Sequence, residues 1–343
     1  MDSPAVSLHG FDVVRGDQIR HSIFANVDDI IESVRNAYIA HEQGRTVNPP
    51  SAFLKFPQQP RDRIIALPAH IRNFNGASLT GIKWISSFPG NLERNVPRAS
   101  AVVLLNHPET GYPYACMEGA SISAARTAAS AVLAALELNG RKKAVDSLGF
   151  IGTGVISQHI FDFFAASGWN IGTLHAHDAA PTHALRFAQR SSAYVSDGYQ
   201  LHDNPGTLIR SCDMTVFATT APTPYFDDPS ALDHNPILLH ISLRDLSPQL
   251  ILRSHNVVDD IDHCMNGNTS PHLAEQITGR RDFVRYTLPG ILVSGDAPDK
   301  SKPIIFSPFG MGILDLAVGK YVYEKARADD KLISIPNFFA DNA

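Results

Sequence analysis

Val145-Asp-Ser-Leu-Gly-Phe-Ile151-Gly152-Thr153-Gly154-Val155-Ile156-Ser157 decides the fold of this 343-residue chain. The run Val145 to Ile151 reads as a buried strand. Gly152-x-Gly154-x-x-Ser157 reads as the turn into a helix whose apolar face carries Ile156, Ile160, Phe163 and Phe164. Gly152 permits a tight turn, Gly154 clears room for a pyrophosphate, and Ser157 is a small substitute for a third glycine. The helix N-terminus then offers oriented N–H donors. Thr153, Val155 and Ile156 ride on the same turn and join the two glycines as candidate cofactor contacts. Asp178 falls 24 residues after Gly154, at the end of the next strand, where a carboxylate accepts hydrogen bonds from both ribose hydroxyls. A 2′-phosphate would meet a like charge there, so the expected cofactor is NAD and not NADP.

Ile171 to Asp178, Met214 to Thr220, Ile237 to Ser242 and Val257 to Ile261 are further strand candidates, with helical patterns between several of them. The expected fold class is α/β: a Rossmann-type, doubly wound parallel sheet domain over residues 131–307. A discontinuous α+β domain is expected from 1–130 and 308–343. It would use the helical period of residues 27–43, the strand-like runs Arg63 to Ala69, Gly81 to Ile85 and Ala101 to Asn106, and a returning helix over Gly310 to Ala328.

Composition excludes several classes. With 44% hydrophobic residues, 18% charged residues and a net charge of -5, the chain has no basic stripe to draw nucleic acid or an acidic membrane. No apolar run is expected to span a bilayer, and Met1 to Ser7 lacks the form of a signal peptide. Cys116, Cys212 and Cys264 are odd in number and lack CxxC spacing, which points to buried thiols in a reducing cytoplasm. Fifteen histidines invite a metal reading. His175 and His177 merely alternate on a strand, however, and His263-Cys264 has no companion pair, so no metal site is expected.

Gly119-Ala-Ser-Ile-Ser-Ala-Ala-Arg126-Thr127-Ala-Ala begins a small-residue helix running to Glu137-Leu138. Arg126 has no acidic neighbour on that helix and is a candidate ligand for a carboxylate; a structural salt bridge is the alternative. Lys83, inside the apolar run Gly81-Ile-Lys-Trp-Ile-Ser-Ser-Phe-Pro-Gly-Asn91, either meets a carboxylate or snorkels to an edge. At the carboxyl edge of the sheet stand Thr219 and Thr220, which either contact the ribose or nicotinamide or simply end a strand. His240-Ile-Ser-Leu-Arg244-Asp245 lies on the same edge. Asp245 is the general acid/base candidate, with a raised pKa expected; an N-cap or an ion pair with Arg244 is the alternative.

Together these segments resemble the ornithine cyclodeaminase/mu-crystallin family over almost the whole chain. Ile64-Ile-Ala-Leu-Pro68, Gly81 to Asn91, Pro97-Arg-Ala-Ser100, Leu105 to Pro113 and Ser307-Pro-Phe-Gly-Met-Gly-Ile-Leu-Asp-Leu316 look most like one branch, known from siderophore biosynthesis. That resemblance implies a homodimer contacting through its first domain, NAD in the second, and an amino-acid substrate with several carboxylates. It implies oxidation of N-(1-amino-1-carboxy-2-ethyl)-L-glutamate to 2,3-diaminopropionate and 2-oxoglutarate. Lys83 and Arg126 would hold substrate carboxylate, with Lys55 a further ligand. Thr127 and Ser307 would lie near the cofactor, and Asp245 would move the proton. Two departures separate the chain from true cyclodeaminases. Ile65 stands where they carry a glutamate, and Leu-Ser-Pro-Gln249 follows Asp245 in place of Cys-Pro-Gly-Lys. The same family holds other cyclodeaminases, ketimine reductases and non-catalytic binding proteins as alternatives.

Overall fold

In the computed structural model, which describes residues 10–339, the chain divides into two units at Arg126/Thr127 and again at Gly310/Met311. Met1 to Ser7, read above as lacking a signal peptide, lies outside the described residues.

The first unit opens with β1 (Phe11–Val14), α1 (Gly16–Ala25) and α2 (Val27–Glu42), followed by β2 (Thr46–Val47), β3 (Ala52–Phe56), β4 (Gln59–Phe74) and β5 (Ala77–Ser87). Next come β6 (Ala99–Asn106), β7 (Pro113–Glu118) and the start of the long helix α3 (Gly119–Leu138), which belongs to the second unit from Thr127 on. Its sheet is ordered β1-β7-β6-β5-β4-β2, with β3 paired to the first half of β4. The strand-like runs expected around residues 63–69 and 81–85 are the middles of much longer strands. Asn75 and Gly76, with φ of 51° and 90°, form the tight turn joining them.

In the second unit the strands are β8 (Ala144–Ile151), β9 (Asn170–His177), β10 (Tyr199–Leu201), β11 (Met214–Phe217), β12 (Ile237–His240), β13 (His255–Val258), β14 (Val284–Thr287) and β15 (Ile304–Ser307). The helices are α4 (Val155–Ala166), α5 (Pro181–Ser191), α6 (Pro205–Arg210), α7 (Pro248–Arg253), α8 (Ile261–Cys264), α9 (Ser270–Thr278) and α10 (Leu288–Ser294). The sheet order is β10-β9-β8-β11-β12-β15-β13-β14, and every neighbouring pair is parallel. This is a doubly wound sheet, and its order reverses beside β8, so a crevice opens at the carboxyl ends of β8 and β11. Both faces are covered, which explains why Met214–Phe217, Ile237–His240 and Ile304–Ser307 are buried at every position.

Three strands depart from expectation. β11 and β12 stop at Phe217 and His240, two or three residues early, because Ala218 onward and Ile241 onward turn into the loops that build the site. β13 begins and ends earlier than expected; Asp260 accepts from His263 N and caps α8.

α11 (Gly312–Ala328) and β16 (Ile333–Ile335) return to the first unit, where β16 pairs antiparallel with β1. α11 and α2 cover one face of that sheet. Close approach requires Gly81 in β5, since a Cβ there would lie 2.1 Å from the Leu104 carbonyl oxygen and 3.0 Å from Leu316 Cδ2. Ile30, Val34, Leu105, Met117, Leu314 and Val318 are fully buried in this core, and truncating one of the leucines to alanine typically costs about 2–5 kcal/mol.

One exclusion needs correcting. α3 is 20 residues long with a mean hydropathy of 1.3, which is long and apolar enough to cross a membrane by length and composition. Its alanines raise hydropathy through small side chains, and two-thirds of the span is buried in protein, the state of a core helix.

Candidate active site

The glycine turn is fixed by its backbone. Gly152 has φ of 80°, and a Cβ there would sit 2.8 Å from the Ala218 carbonyl oxygen, so only glycine fits. At Gly154, the residue before α4, a Cβ would meet nothing within 4 Å; the surface over it is open. Val155 is exposed and Ile156 half-buried at the start of α4. Ser157 is more than a small stand-in for glycine: it is fully buried and its hydroxyl donates to the Gly152 carbonyl, tying helix to turn.

Asp178 follows β9 and closes the same loop. Its Oδ2 accepts from Thr153 N at 2.8 Å and Thr153 Oγ1 at 3.0 Å, and Oδ1 accepts from Ala180 N at 2.9 Å. Partial burial disfavours the charge, but these donors and nearby His183 outweigh it and hold the carboxyl below its usual range. Sequence alone offered Asp178 to a ribose; the structure adds that it organises the turn. A carboxylate has about four acceptor positions, so capacity remains for a hydroxyl.

At the carboxyl ends of β11, β12 and β15 the side chains converge on Asp245, which is completely buried. Its carboxylate accepts from the hydroxyls of Thr219 and Ser242 and lies 3.2 Å from His240 Nε2. His240 Nε2 is also 3.1 Å from Asp245 N, and its Nδ1 is 3.1 Å from Ser307 Oγ. A proton on Nε2 lets His240 donate to the Asp245 carboxylate while Nδ1 accepts from Ser307; a proton on Nδ1 instead leaves Nε2 to accept from Asp245 N and gives up the hydrogen bond to the carboxylate. Leu243, between them, takes a φ of 70°, a left-handed conformation that costs a non-glycine residue on the order of 1–3 kcal/mol and brings Asp245 back under His240. The Asp245 carbonyl accepts from Tyr225 N and Phe226 N, which fixes the backbone.

Asp245 corrects one expectation. Burial pushes its pKa up, but hydrogen bonds from His240, Ser242 and Thr219 and the attraction of His240 prevail, so it lies below the usual carboxylate value. The Tyr225 phenol is pushed up by burial and by the Asp245 charge. Arg244 turns to the Gly267 carbonyl, and the N-cap of α7 is Ser247, so neither alternative reading of Asp245 is realised. Thr219 directs its hydroxyl to Asp245, while Thr220 is exposed.

The first unit holds a separate cluster. Lys83 Nζ lies 2.7 Å from Asp315 Oδ2 and donates to Ser123 Oγ at 3.1 Å, while Arg126 Nε meets Asp315 Oδ1 at 3.3 Å. Lys83 therefore does not snorkel. Arg126 does have an acidic partner, supplied by α11 and not by its own helix. Two cations share one anion, leaving a local charge of about +1, and the terminal nitrogens of Arg126 carry no hydrogen bond to the described residues. Burial and the Arg126 charge bring the Lys83 pKa down to about 8 against the opposing pull of Asp315. Thr127 is half-buried on the next position of α3, and Lys55 is exposed on β3 opposite Arg63.

Sequence reasoning gave no role to His240, Ser242, Asp315 or Tyr225. Asp315 had a signal, an acid within the apolar run Gly312-Ile-Leu-Asp-Leu-Ala-Val. Among the described residues no group of three or more His, Cys, Asp or Glu side chains is arranged to hold a metal.

Comparison with known proteins adds the lineage. Residues 17–231 match the family model described as the ornithine cyclodeaminase/mu-crystallin family. The chain is 30% identical over 311 residues to N-((2S)-2-amino-2-carboxyethyl)-L-glutamate dehydrogenase of Staphylococcus aureus, covering 87% of this chain and 90% of that one. Among solved structures, Delta(1)-pyrroline-2-carboxylate reductase of Thermococcus litoralis, in complex with NADH and L-proline, superposes with a TM-score of 0.85 at 22% identity, covering 95% of this chain and all of that one. An archaeal alanine dehydrogenase dimer with bound NAD gives 0.85 at 24%, covering 96% and 100%. The two structures share the fold.

Proposed function

Because the chain belongs to the ornithine cyclodeaminase/mu-crystallin family, we propose that it is an NAD-dependent dehydrogenase that oxidises N-((2S)-2-amino-2-carboxyethyl)-L-glutamate and releases 2,3-diaminopropionate and 2-oxoglutarate. Asp245 carries this conclusion: an ionised carboxylate, buried and held by three side-chain donors at the carboxyl edge of a doubly wound sheet, is a placed proton acceptor. The choice of substrate is supported by the staphylococcal relative and by the departures at Ile65 and Gln249 from the cyclodeaminase pattern.

The glycine turn fits a dinucleotide, with open space over Gly154, a helix N-terminus behind it and Asp178 beside it. Gly152 to Ile156, Thr127, Asp178, Thr219, Thr220 and Ser307 are assigned to the cofactor. When bound, NAD supplies the hydride acceptor that converts the secondary amine to a ketimine. Asp245 takes the amine proton, with His240 able to share it, and then directs water onto the ketimine carbon. Hydrolysis breaks the carbon–nitrogen bond, so one conjugate, one water and one NAD give 2-oxoglutarate, 2,3-diaminopropionate, NADH and a proton. Lys83 and Arg126 are assigned a substrate carboxylate, each charge-assisted contact contributing roughly 1.5–3 kcal/mol.

We also assign a homodimer. The face of the first unit's sheet opposite α2 and α11 carries Leu54, Ile64, Ile82, Trp84, Val102 and Leu104, and Leu54, Trp84 and Val102 are exposed. A continuous apolar sheet face of this kind is a protein-interaction surface. All three cysteines are free, in keeping with a cytoplasmic, reducing location. The product suits assembly of siderophores or antibiotics that incorporate diaminopropionate.

Incubation with NAD and the conjugate tests the assignment. Equal amounts of NADH and 2-oxoglutarate are expected; ammonia and proline from ornithine, without net NADH, would contradict it.

A further inference from the structure

We propose that Arg63 and Arg98, with Lys55 beside them, form a second carboxylate-binding subsite that selects substrates carrying more than one carboxylate. This rests on the assignment of the conjugate as substrate, and it adds Arg63 and Arg98, which the family resemblance leaves without a role, to Lys55, which the resemblance already makes a carboxylate ligand.

Strand register brings the cations together. Lys55 pairs with Arg63 across β3 and β4, and Arg63 pairs with Ser87 across β4 and β5. Ser87 is four residues from Lys83 on one strand, so side-chain alternation puts this row on the face that carries Lys83. Arg98, just before β6, donates to Ser87 Oγ at 3.3 Å and so joins the row. Its backbone is held as well: Phe88 N donates to the Arg98 carbonyl, and Asn91 Nδ2 donates to the Pro97 carbonyl. The motif Pro97-Arg-Ala-Ser100 therefore sets the place of one guanidinium.

None of these three cations lies within ion-pair distance of a carboxylate among the described residues, whereas Asp315 already serves Lys83 and Arg126. Arg98 is half-buried, and burial together with the Arg63 charge pulls its pKa below the ordinary arginine value. Two like charges held together without an anion repel, and a carboxylate between them removes that repulsion. Arginine's planar fork suits this recognition.

Spacing agrees with a substrate of several carboxylates. The Lys83 and Ser87 positions lie roughly 13 Å apart along β5, and long arginine and lysine side chains shorten the gap between their charged ends. A five-carbon diacid bearing a three-carbon amino-acid arm presents carboxylates several bonds apart. Alanine or proline, with one carboxylate, would leave the second row unused.

The variants Arg98→Gln, Arg63→Gln and Arg98→Lys test this. Steady-state kinetics with the conjugate would be paired with calorimetry of 2-oxoglutarate and pyruvate binding to the NADH-loaded enzyme, and melting curves would establish that each variant is folded. The subsite predicts that either Gln variant raises KM roughly 10- to 100-fold, with a much smaller change in kcat. It also predicts a similar weakening of 2-oxoglutarate and less than twofold for pyruvate, with partial recovery in Arg98→Lys. KM and 2-oxoglutarate affinity within twofold of the parent would overturn the subsite, as would equal loss of both ligands. If the parent enzyme does not turn over the conjugate, the assigned reaction fails separately. The calorimetry then decides: selective loss of 2-oxoglutarate binding supports the subsite, and unchanged binding rejects it.

Discussion

Lys83 Nζ lies 2.7 Å from Asp315 Oδ2, and both side chains are buried beside the half-buried Arg126. On the role proposed for this cluster, its charge balance should make carboxylate binding depend on pH. Burial, first, and the Arg126 charge lower Lys83 from 10.5 to about 8. The cation is present below that pH and is lost as pH rises through it, so KM for the conjugate should be flat below about pH 8 and then climb, by up to tenfold per unit. For folding the sign is reversed. The native lysine binds its proton less readily than the unfolded one, so its contribution to stability falls as pH drops from 10.5 toward 8. Initial rates from pH 6.5 to 9.5 provide the check, and Asp315→Asn should move the inflection to lower pH. A KM independent of pH over that range would contradict the role assigned to Lys83.

His240→Asn separates holding Asp245 from filling space. Asp245 has a depressed pKa, so on the role proposed for it activity should be present above that value and should fall as pH drops through it. Removing the imidazole removes a hydrogen bond and an attraction that favour the charged carboxylate. The acid limb of the kcat/KM profile should therefore move to higher pH. An unmoved limb, with only a uniform fall in rate, would assign His240 to packing alone.

Asp178→Ala tests the cofactor assignment. The change leaves Thr153 N and Ala180 N without their acceptor and removes the charge that opposes a 2′-phosphate. NADH affinity, measured by fluorescence titration, should fall about tenfold or more, and the preference for NADH over NADPH should narrow. An unchanged preference would remove Asp178 from the ribose site.

Trp84→Glu together with Val102→Glu places charges on the uncovered sheet face. Sedimentation velocity should show a dimer for the parent chain and a monomer for the double variant, because unpaired charges at a buried apolar contact are costly. A parent chain that sediments as a monomer would refute the dimer.

Local chemistry made much of this legible in advance. The strand, glycine turn and helix from Val145 to Phe164 lie within one stretch, and each element constrains the next. Asp178 and Asp245 could be picked out because parallel strands deliver their ends to one edge. Long-range pairing could not be read in this way: Asp315 reaches Lys83 and Arg126 only after the whole second unit has intervened in sequence. Nor could the pKa of Asp245 be inferred, since its sign depends on three donors, His240 at the end of β12 and Thr219 and Ser242 on the loops after β11 and β12, outweighing burial. The early ends of β11 and β12 have the same origin. Apolar residues persist past Phe217 and His240, while the backbone turns to bring Thr219 and Ser242 to Asp245. The Asn75-Gly76 dipeptide between β4 and β5 is the turn signal in the sequence that joins those strands.

The most direct test of hydride transfer to NAD assisted by Asp245 follows one atom. With NAD and the conjugate deuterated at the glutamate α-carbon, one deuteride is expected on the nicotinamide ring for each 2-oxoglutarate released, with this turnover lowered about 10²- to 10⁴-fold in Asp245→Asn. Deuterium retained in the substrate, or lost to water without labelled NADH, would contradict it.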